Sequence, residues 1–213
     1  ALELHRLGFP TVGVPASIDN DVPGCELCIG TDTAVNTAVE AIDRLRDTAS
    51  AHHRAMIVEV MGRQSGYIAM MAALATGAEM VIIPEQRLEL SQVFEEMRRS
   101  QERGKRHFII VLAEGAQWSA PELTRLINEA PNPYEARFTV LGYIQRGGAP
   151  TAVSRIMATR MGIAAVEALL AGRSGVMTAW RQSGVAVVPI DLSLPAPDVL
   201  GLALDRVQAI TVL

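Results

Sequence analysis

Aromatic side chains are scarce in this chain: four Phe, three Tyr and two Trp make up 4% of 213 residues. Ala, Val, Ile, Leu and Met must therefore fill the core, and hydrophobic residues do reach 49%. Two cysteines are too few for a disulfide framework, which points to a reducing cytoplasm. No apolar run attains the roughly 18 residues a membrane span needs, so a membrane is not among the expected partners. Residues 1–10 carry Glu3, His5 and Arg6 and do not read as a signal peptide. Positive charge is not in excess: 19 Lys and Arg against 23 Asp and Glu leave a net charge of -4. That balance argues against nucleic acid as a partner. Neither Gly-x-Gly-x-x-Gly nor Gly-x-x-x-x-Gly-Lys-Ser/Thr occurs, so neither familiar phosphate-cradling loop is present. Internal repeats and low-complexity segments are missing too.

What the chain does have is alternation. Short runs rich in Val and Ile occupy 11–14, 56–60, 80–83, 108–112, 139–141 and 185–188. They hardly alternate with polar residues, as suits strands buried on both faces of a parallel sheet. Helix candidates lie between them at 32–48, 66–75, 91–103, 121–129 and 152–171. The first places Val35, Ala38, Ile42 and Leu45 on one stripe, with Thr31 able to cap it and Asp32 in its positive first turn. Glu95 and Arg99 form an i,i+4 pair on a solvated face. Gly77, Gly104 and Gly172 are placed to close three of the helices. Strand–helix–strand alternation predicts an α/β fold with doubly wound, Rossmann-like parallel sheets.

In such folds ligands collect beyond the carboxyl ends of the strands. The segments to inspect are thus 15–21, with Asp19 and Asp21; 61–65, with Arg63; 113–115, with Glu114; and 142–148, with Arg146. In extended backbone Asp19 and Asp21 would point to one side. They would then raise each other's proton affinity, or share a divalent cation with a phosphate. The same residues also suit a turn whose side chains bond their own backbone. Arg54, Arg63, Arg137 and Arg146 carry the planar fork that phosphate accepts in two parallel bonds, though each alone also reads as a surface arginine. Gly147 and Gly148 would let backbone approach a ligand closely. Cys25 and Cys28 have metal or redox spacing, but no second pair or His cluster accompanies them, so they read as two small thiols. His52 and His53 read as a helix C-terminal cap, and Met56, Met61, Met70, Met71 and Met80 as core filling, with Met61 the exception at a strand end.

Four segments together resemble the phosphofructokinase family. They are Pro-Ala-Ser-Ile-Asp-Asn-Asp at 15–21, Glu-Ala-Ile-Asp-Arg-Leu-Arg-Asp-Thr-Ala at 40–49, Val-Glu-Val-Met-Gly-Arg at 58–63 and Leu-Gly-Tyr-Ile-Gln-Arg-Gly-Gly at 141–148. Their order and spacing are those of the family, and the likeness extends from Ala1 to about Pro189. It implies transfer of the γ-phosphoryl of ATP to the 1-hydroxyl of fructose 6-phosphate, giving fructose 1,6-bisphosphate in glycolysis, with Mg2+ as cofactor. By motif, Asp19 would be the general base, Ser17 a contact to the transferring phosphoryl, and Asp21 the support of the magnesium environment. Met61, Gly62 and Arg63 would line the sugar and phosphoryl path. Glu114 would bond the sugar hydroxyls, and Arg54, Arg137 and Arg146 would hold the 6-phosphate. Tyr143 departs from the family's His; it can donate a hydrogen bond but is not cationic at neutral pH, which implies weaker phosphate binding. Ala16 stands where pyrophosphate-dependent members carry Lys, which favours ATP.

The family resemblance also implies a homotetramer in which Arg54 and Arg137 serve a neighbouring subunit's site. It implies an effector site for ADP or phosphoenolpyruvate drawing on Arg46, Glu79, Arg103 and Lys105. The expected division is 1–32 with 150–191 as part of a nucleotide-binding domain, 33–149 as a sugar-phosphate domain, and 192–213 returning to the latter. The family's Gly-Gly-Asp-Gly-Ser segment, which binds nucleotide phosphates, would precede Ala1, so roughly one hundred upstream residues would be absent. On that expectation the chain alone is inactive as a kinase and exposes an open sheet edge and an apolar face. The alternative is a non-catalytic sugar-phosphate-binding or regulatory fragment.

Overall fold

A computed structural model of the chain describes residues 1–182, 184–191, 193–194 and 198. They form two compact units, Ala1–Thr33 with Ala149–Asp198, and Ala34–Gly148. The expected return of 192–213 falls almost wholly outside the described residues.

In the second unit the apolar runs become a four-stranded parallel sheet. Its strands are β4 (Arg54–Val60), β5 (Met80–Ile82), β6 (Phe108–Ala113) and β7 (Glu135–Val140), in the order β5-β6-β4-β7. Four helices alternate with them: α2 (Thr31–His52), which starts in the first unit, α3 (Tyr67–Thr76), α4 (Leu90–Glu102) and α5 (Ala120–Glu129). β6 is buried at every position, which is why its sequence shows no polar alternation. Ile57, Phe108, Ile110 and Leu112 pack with Val93 and Met97 of α4 and Leu123 and Ile127 of α5. On the opposite parity Met56, Val58, Ile109 and Val111 are buried too, and α3 packs on β4, β5 and β6. The sheet is thus covered on both faces.

The run at 139–141 does not mark its strand, which is Glu135–Val140. β7 is an edge strand with most residues exposed, so it lacks the continuous apolar signal that located the central strands. Glu95 and Arg99 pair at 3.0 Å. Gly77, Gly104 and Gly172 all take left-handed backbone after their helices. His53 does likewise, at φ 54°, directly after α2.

The first unit holds α1 (Leu2–Arg6) and a three-stranded sheet of β1 (Val12–Gly13), β8 (Val176–Arg181) and β9 (Gly184–Pro189). It also holds a short parallel ladder of β2 (Ala16–Ser17) and β3 (Ile29–Gly30). β1 and β8 are parallel, but β9 runs antiparallel to β8, a departure from the all-parallel expectation. Only residues 182–183 separate β8 from β9, room for a hairpin and not for a crossover. β8 was not legible because Arg181 and the polar Thr178 break its apolar run. α6 (Ala152–Leu170) packs on β8 and β9 through Met157, Met161 and Ala165. Its other side, Ile156, Ile163, Val166 and Leu170, is exposed.

Candidate functional site

In the first unit the chain leaves β1 at Pro15 and folds into a tight loop after β2. The Ser17 hydroxyl oxygen accepts from the Asp19 N–H at 3.2 Å and donates to Asp21 Oδ1 at 3.4 Å. Asn20 sits at φ 55°, a left-handed conformation that Asn tolerates better than most residues. The extended backbone that would align Asp19 with Asp21 is therefore broken at Asn20. Its side chain fixes the loop from behind: Oδ1 accepts the Cys28 N–H at 2.8 Å and Nδ2 donates to the Glu26 carbonyl at 3.0 Å. Thr31 begins α2 and does not cap it; its hydroxyl donates to the Ser17 carbonyl at 2.8 Å. Asp19 and Asn20 are buried and Asp21 is half-buried. A turn and a carboxylate pair were open alternatives for 17–21. The structure has the turn, and it leaves one buried and one half-buried carboxylate on the same loop.

In the second unit the ends of β4, β6 and β7 converge, as parallel strands of adjacent register must. The buried Met61 N–H donates to Gln145 Oε1 at 2.9 Å. Glu114 Oε1 accepts from the N–H groups of Gly62, at 3.2 Å, and Arg63, at 2.6 Å. Gly62 and Arg63 both have positive φ, 147° and 52°, so this carboxylate holds a conformation the chain would not adopt by preference. Gly115 lies against it so closely that a Cβ there would fall 2.0 Å from the Arg63 carbonyl oxygen. The loop is further fixed by Glu85, whose Oε1 accepts the Gly66 N–H at 2.8 Å. After β7 a 3-10 helix (Gly142–Arg146) carries Tyr143, Gln145 and Arg146. The Arg146 guanidinium stacks 5.1 Å over the exposed Tyr143 ring. Met61, Gly62, Arg63, Glu114, Tyr143 and Arg146 thus stand on three neighbouring strand ends, with Gln145, Glu85 and Gly115 as unforeseen supports. Gln145 lies in the motif at 141–148 and Gly115 in the strand-end segment 113–115, but no role was assigned to either, and nothing in the sequence marked Glu85; only the folded backbone shows which N–H groups need them.

Arg54 and Arg137 are not among this group. Arg54 opens β4, so about 20 Å of strand separates it from Met61. Its Nε donates to Glu135 Oε2 at 3.2 Å, and Arg137 pairs with the same Glu135.

A second polar cluster lies near the start of β6. Glu79 is buried; its Oε1 is 3.0 Å from Lys105 Nζ and 3.8 Å from His107 Nε2, and its Oε2 accepts the Ile109 N–H at 2.7 Å. Arg46 contacts His107 Nε2 at 3.4 Å and donates to the Thr76 carbonyl. Arg103 instead pairs with Glu96. Three of the four expected effector residues therefore converge. Burial holds His107 below its ordinary pKa against the opposing pull of Glu79, with Arg46 and Lys105 adding to the depression. The folded state then binds fewer protons than the unfolded one below about pH 6.5. The chain is expected to lose thermal stability as pH falls from about 6.5 through the lowered value. Melting curves from pH 7.5 to 5 check this, and His107→Asn should flatten the slope in that window.

Among the described residues no group of three or more His, Cys, Asp or Glu could hold a metal ion, and no helix is long and apolar enough to cross a membrane.

Comparison with known proteins gives concordant matches. The family model described as Phosphofructokinase matches residues 1–169. An ATP-dependent 6-phosphofructokinase of Shouchella clausii (strain KSM-K16) is 47% identical over 197 residues, 92% of this chain and 61% of the relative. One from Bacillus thuringiensis (strain Al Hakam) is 51% identical over 175 residues, 82% of this chain and 54% of the relative. Among solved structures, phosphofructokinase from Saccharomyces cerevisiae superposes with a TM-score of 0.77 at 33% identity, covering 82% of this chain and 25% of that one. The chain thus spans little more than half the length of the curated relatives it matches.

Proposed function

The chain belongs to the phosphofructokinase family, and on that premise we propose that it carries the acceptor side of ATP-dependent phosphorylation of fructose 6-phosphate. The observation that carries this reading is the convergence of Met61, Gly62, Arg63 and Glu114 at the ends of β4 and β6, beside the 3-10 helix bearing Arg146. Arg63 and Arg146 offer cationic forks for phosphoryl and 6-phosphate oxygens. Glu114 uses Oε1 to fix the Met61–Arg63 turn; its other oxygen would take a sugar hydroxyl. Tyr143, stacked under Arg146, would donate a neutral hydrogen bond to phosphate. Asp19 would take the proton of the 1-hydroxyl as that oxygen attacks the γ-phosphorus and ADP departs, with Ser17 beside the transferring group. Positioning and charge neutralisation account for most of the rate in such transfers.

The donor set also suits Mg2+. Asp21 and Asp19 offer hard oxygen ligands on one loop but no closed protein cage, as fits a cation that keeps waters and substrate phosphates. Bound there, it would neutralise charge on the transferring phosphates. Arg54, which opens β4, and Arg137, the third residue of β7, would serve the site of a neighbouring subunit in a homo-oligomer. Residues 1–32 and 150–191 would belong to the nucleotide side and 33–149 to the sugar-phosphate side. The convergence of Arg46, Glu79 and Lys105 supports an effector site for ADP or phosphoenolpyruvate, and the few, unpaired cysteines support a cytoplasmic setting. Ala16 favours ATP over pyrophosphate.

The test is a coupled phosphoryl-transfer assay on this chain with fructose 6-phosphate, Mg2+, and ATP or pyrophosphate in turn, alongside calorimetry. Turnover with ATP and not pyrophosphate supports the reading. The chain's coverage of 61% and 54% of its relatives favours a second reading, a sugar-phosphate-binding module whose donor groups lie elsewhere. Fructose 6-phosphate binding with no turnover from either donor would select it. No binding at all would overturn both.

A further inference from the structure

Of residues 142–150, which follow β7, Gln145 alone is buried. It is 1% exposed, while its neighbours Tyr143 and Ile144 are 77% and 63% exposed. The 3-10 helix that carries Tyr143 and Arg146 therefore lies against the body of the second unit through one side chain, and that side chain is polar. Its Oε1 accepts the Met61 N–H at 2.9 Å, and Met61 is itself buried, directly after β4. Its Nε2 is buried and has no hydrogen-bond partner among the described residues. An amide donor left without a partner costs free energy, and an apolar residue of similar size would avoid that cost. What an apolar residue lacks is the acceptor for Met61, whose buried N–H would then be orphaned.

The bond joins two segments that are distant in sequence. Met61 stands two residues before Arg63, whose N–H is held by Glu114. Gln145 directly precedes Arg146, which stacks on Tyr143. The two segments leave neighbouring strands, since β4 and β7 pair from Arg54 with Glu135 to Glu59 with Val140. The Glu59 carbonyl also accepts the Leu141 N–H at 3.0 Å, which fixes where the 3-10 helix starts. Gln145 fixes its far end, one residue from Arg146.

We propose that Gln145 is a positioning residue that couples Arg63 to Arg146, so that the two guanidiniums hold an anionic ligand as one unit. Gln145 itself touches no ligand. It acts through the Met61 N–H on one side and through the Arg146 backbone on the other. A carboxylate in its place could also accept from Met61, but it would set a negative charge one residue from Arg146 and oppose phosphate. The neutral amide supplies the acceptor without that charge.

That the ligand is fructose 6-phosphate rests on the proposed function; the link between the two segments does not, and it is read first without ligand. In Gln145→Met the Met61 amide should exchange at least about tenfold faster than in the unaltered chain, while Gln145→Glu, which keeps an acceptor, should leave it protected. The coupling is then read by calorimetry with fructose 6-phosphate in a double-mutant cycle. Arg63→Lys and Arg146→Lys keep the charge but lose the planar fork, so binding stays measurable. With Gln145 in place, the double variant should lose at least about fivefold less affinity than the product of the single losses, because losing either fork already breaks the unit. In the Gln145→Met background the losses should multiply to within about twofold. Gln145→Glu should bind more weakly but keep the non-additivity; if Gln145→Met fails to fold, loss of non-additivity in Gln145→Glu overturns the proposal. So do multiplying losses in the unaltered chain, an unchanged Met61 amide in Gln145→Met, or non-additivity that survives Gln145→Met, which would leave Gln145 a packing role alone. Those failures are distinct from absence of fructose 6-phosphate binding in the unaltered chain, which would overturn the functional reading together with this one.

Discussion

On the proposed function, Asp19→Asn is expected to lower kcat for phosphorylation of fructose 6-phosphate by about 10³-fold, the order of effect of a positioned general base. The change is read in the coupled assay with ATP and Mg2+. Asn keeps the size of Asp19 and a hydrogen-bonding end but cannot take the proton of the 1-hydroxyl. Calorimetry should find the fructose 6-phosphate Kd within about twofold of the unaltered chain, because only an interaction of the transition state is lost. A fall in kcat with unchanged Kd assigns Asp19 to proton transfer. An unchanged kcat would remove it from that role and point to direct loss of the proton to solvent. A large rise in Kd would place Asp19 among the groups that hold the sugar. The buried position of Asp19, at 5% exposure, makes a purely solvated loop carboxylate a poor description in any case.

Gly115→Ala should be the most damaging single methyl in the second unit. Its Cβ would fall 2.0 Å from the Arg63 carbonyl oxygen and 3.0 Å from the Arg63 carbonyl carbon. Both obstacles are backbone, so no rotamer change relieves them. One of the two strand-end loops must move, and the bonds from Gly62 and Arg63 to Glu114 stretch with it. A loss of about 3 kcal/mol or more is expected, at the upper end of overpacking effects. In a chain of this length that is a fall in Tm of about 10 °C. Binding of fructose 6-phosphate should weaken too, since the loop bearing Arg63 is displaced. Gly147→Ala is the matched control: nothing lies within 4 Å of its Cβ, and its melting curve should scarcely move. Equal melting curves for the two variants would show that the loops do not approach as closely as described.

Much of the fold was legible because of how the central strands are buried. β4 and β6 lie between helices on both faces, so β6 is an unbroken apolar run and β4, after Arg54, is one interrupted only by Glu59, patterns that period and length identify at once. β7 and β8 were misplaced or missed for the converse reason. An edge strand such as β7 exposes Glu135, Arg137 and Phe138, and its pairing partner, not its composition, decides that it is a strand. The antiparallel turn of β9 was not legible either, since a two-residue connection and the packing of α6 fix its direction.

The site divides in the same way. Residue type at a strand end is a local property, so Arg63, Glu114 and Arg146 could be singled out from spacing alone, and four motifs in order sufficed to indicate the family. The sequence therefore determined the chemistry that is available: carboxylates on one loop, arginines on others, and hydrophobic strands to carry them. Tertiary structure decided the use of each group. It turned Asn20 left-handed and so broke the alignment of Asp19 with Asp21. It made Glu114 a clamp on the Met61–Arg63 turn, brought Gln145 to Met61, set Arg54 at the start of β4, and placed Arg137 within β7, paired like Arg54 with Glu135. The physical reason is that a backbone N–H left unpaired in a folded loop needs an acceptor within about 3 Å. Which side chain arrives there depends on strands that are distant in sequence and adjacent only in the sheet.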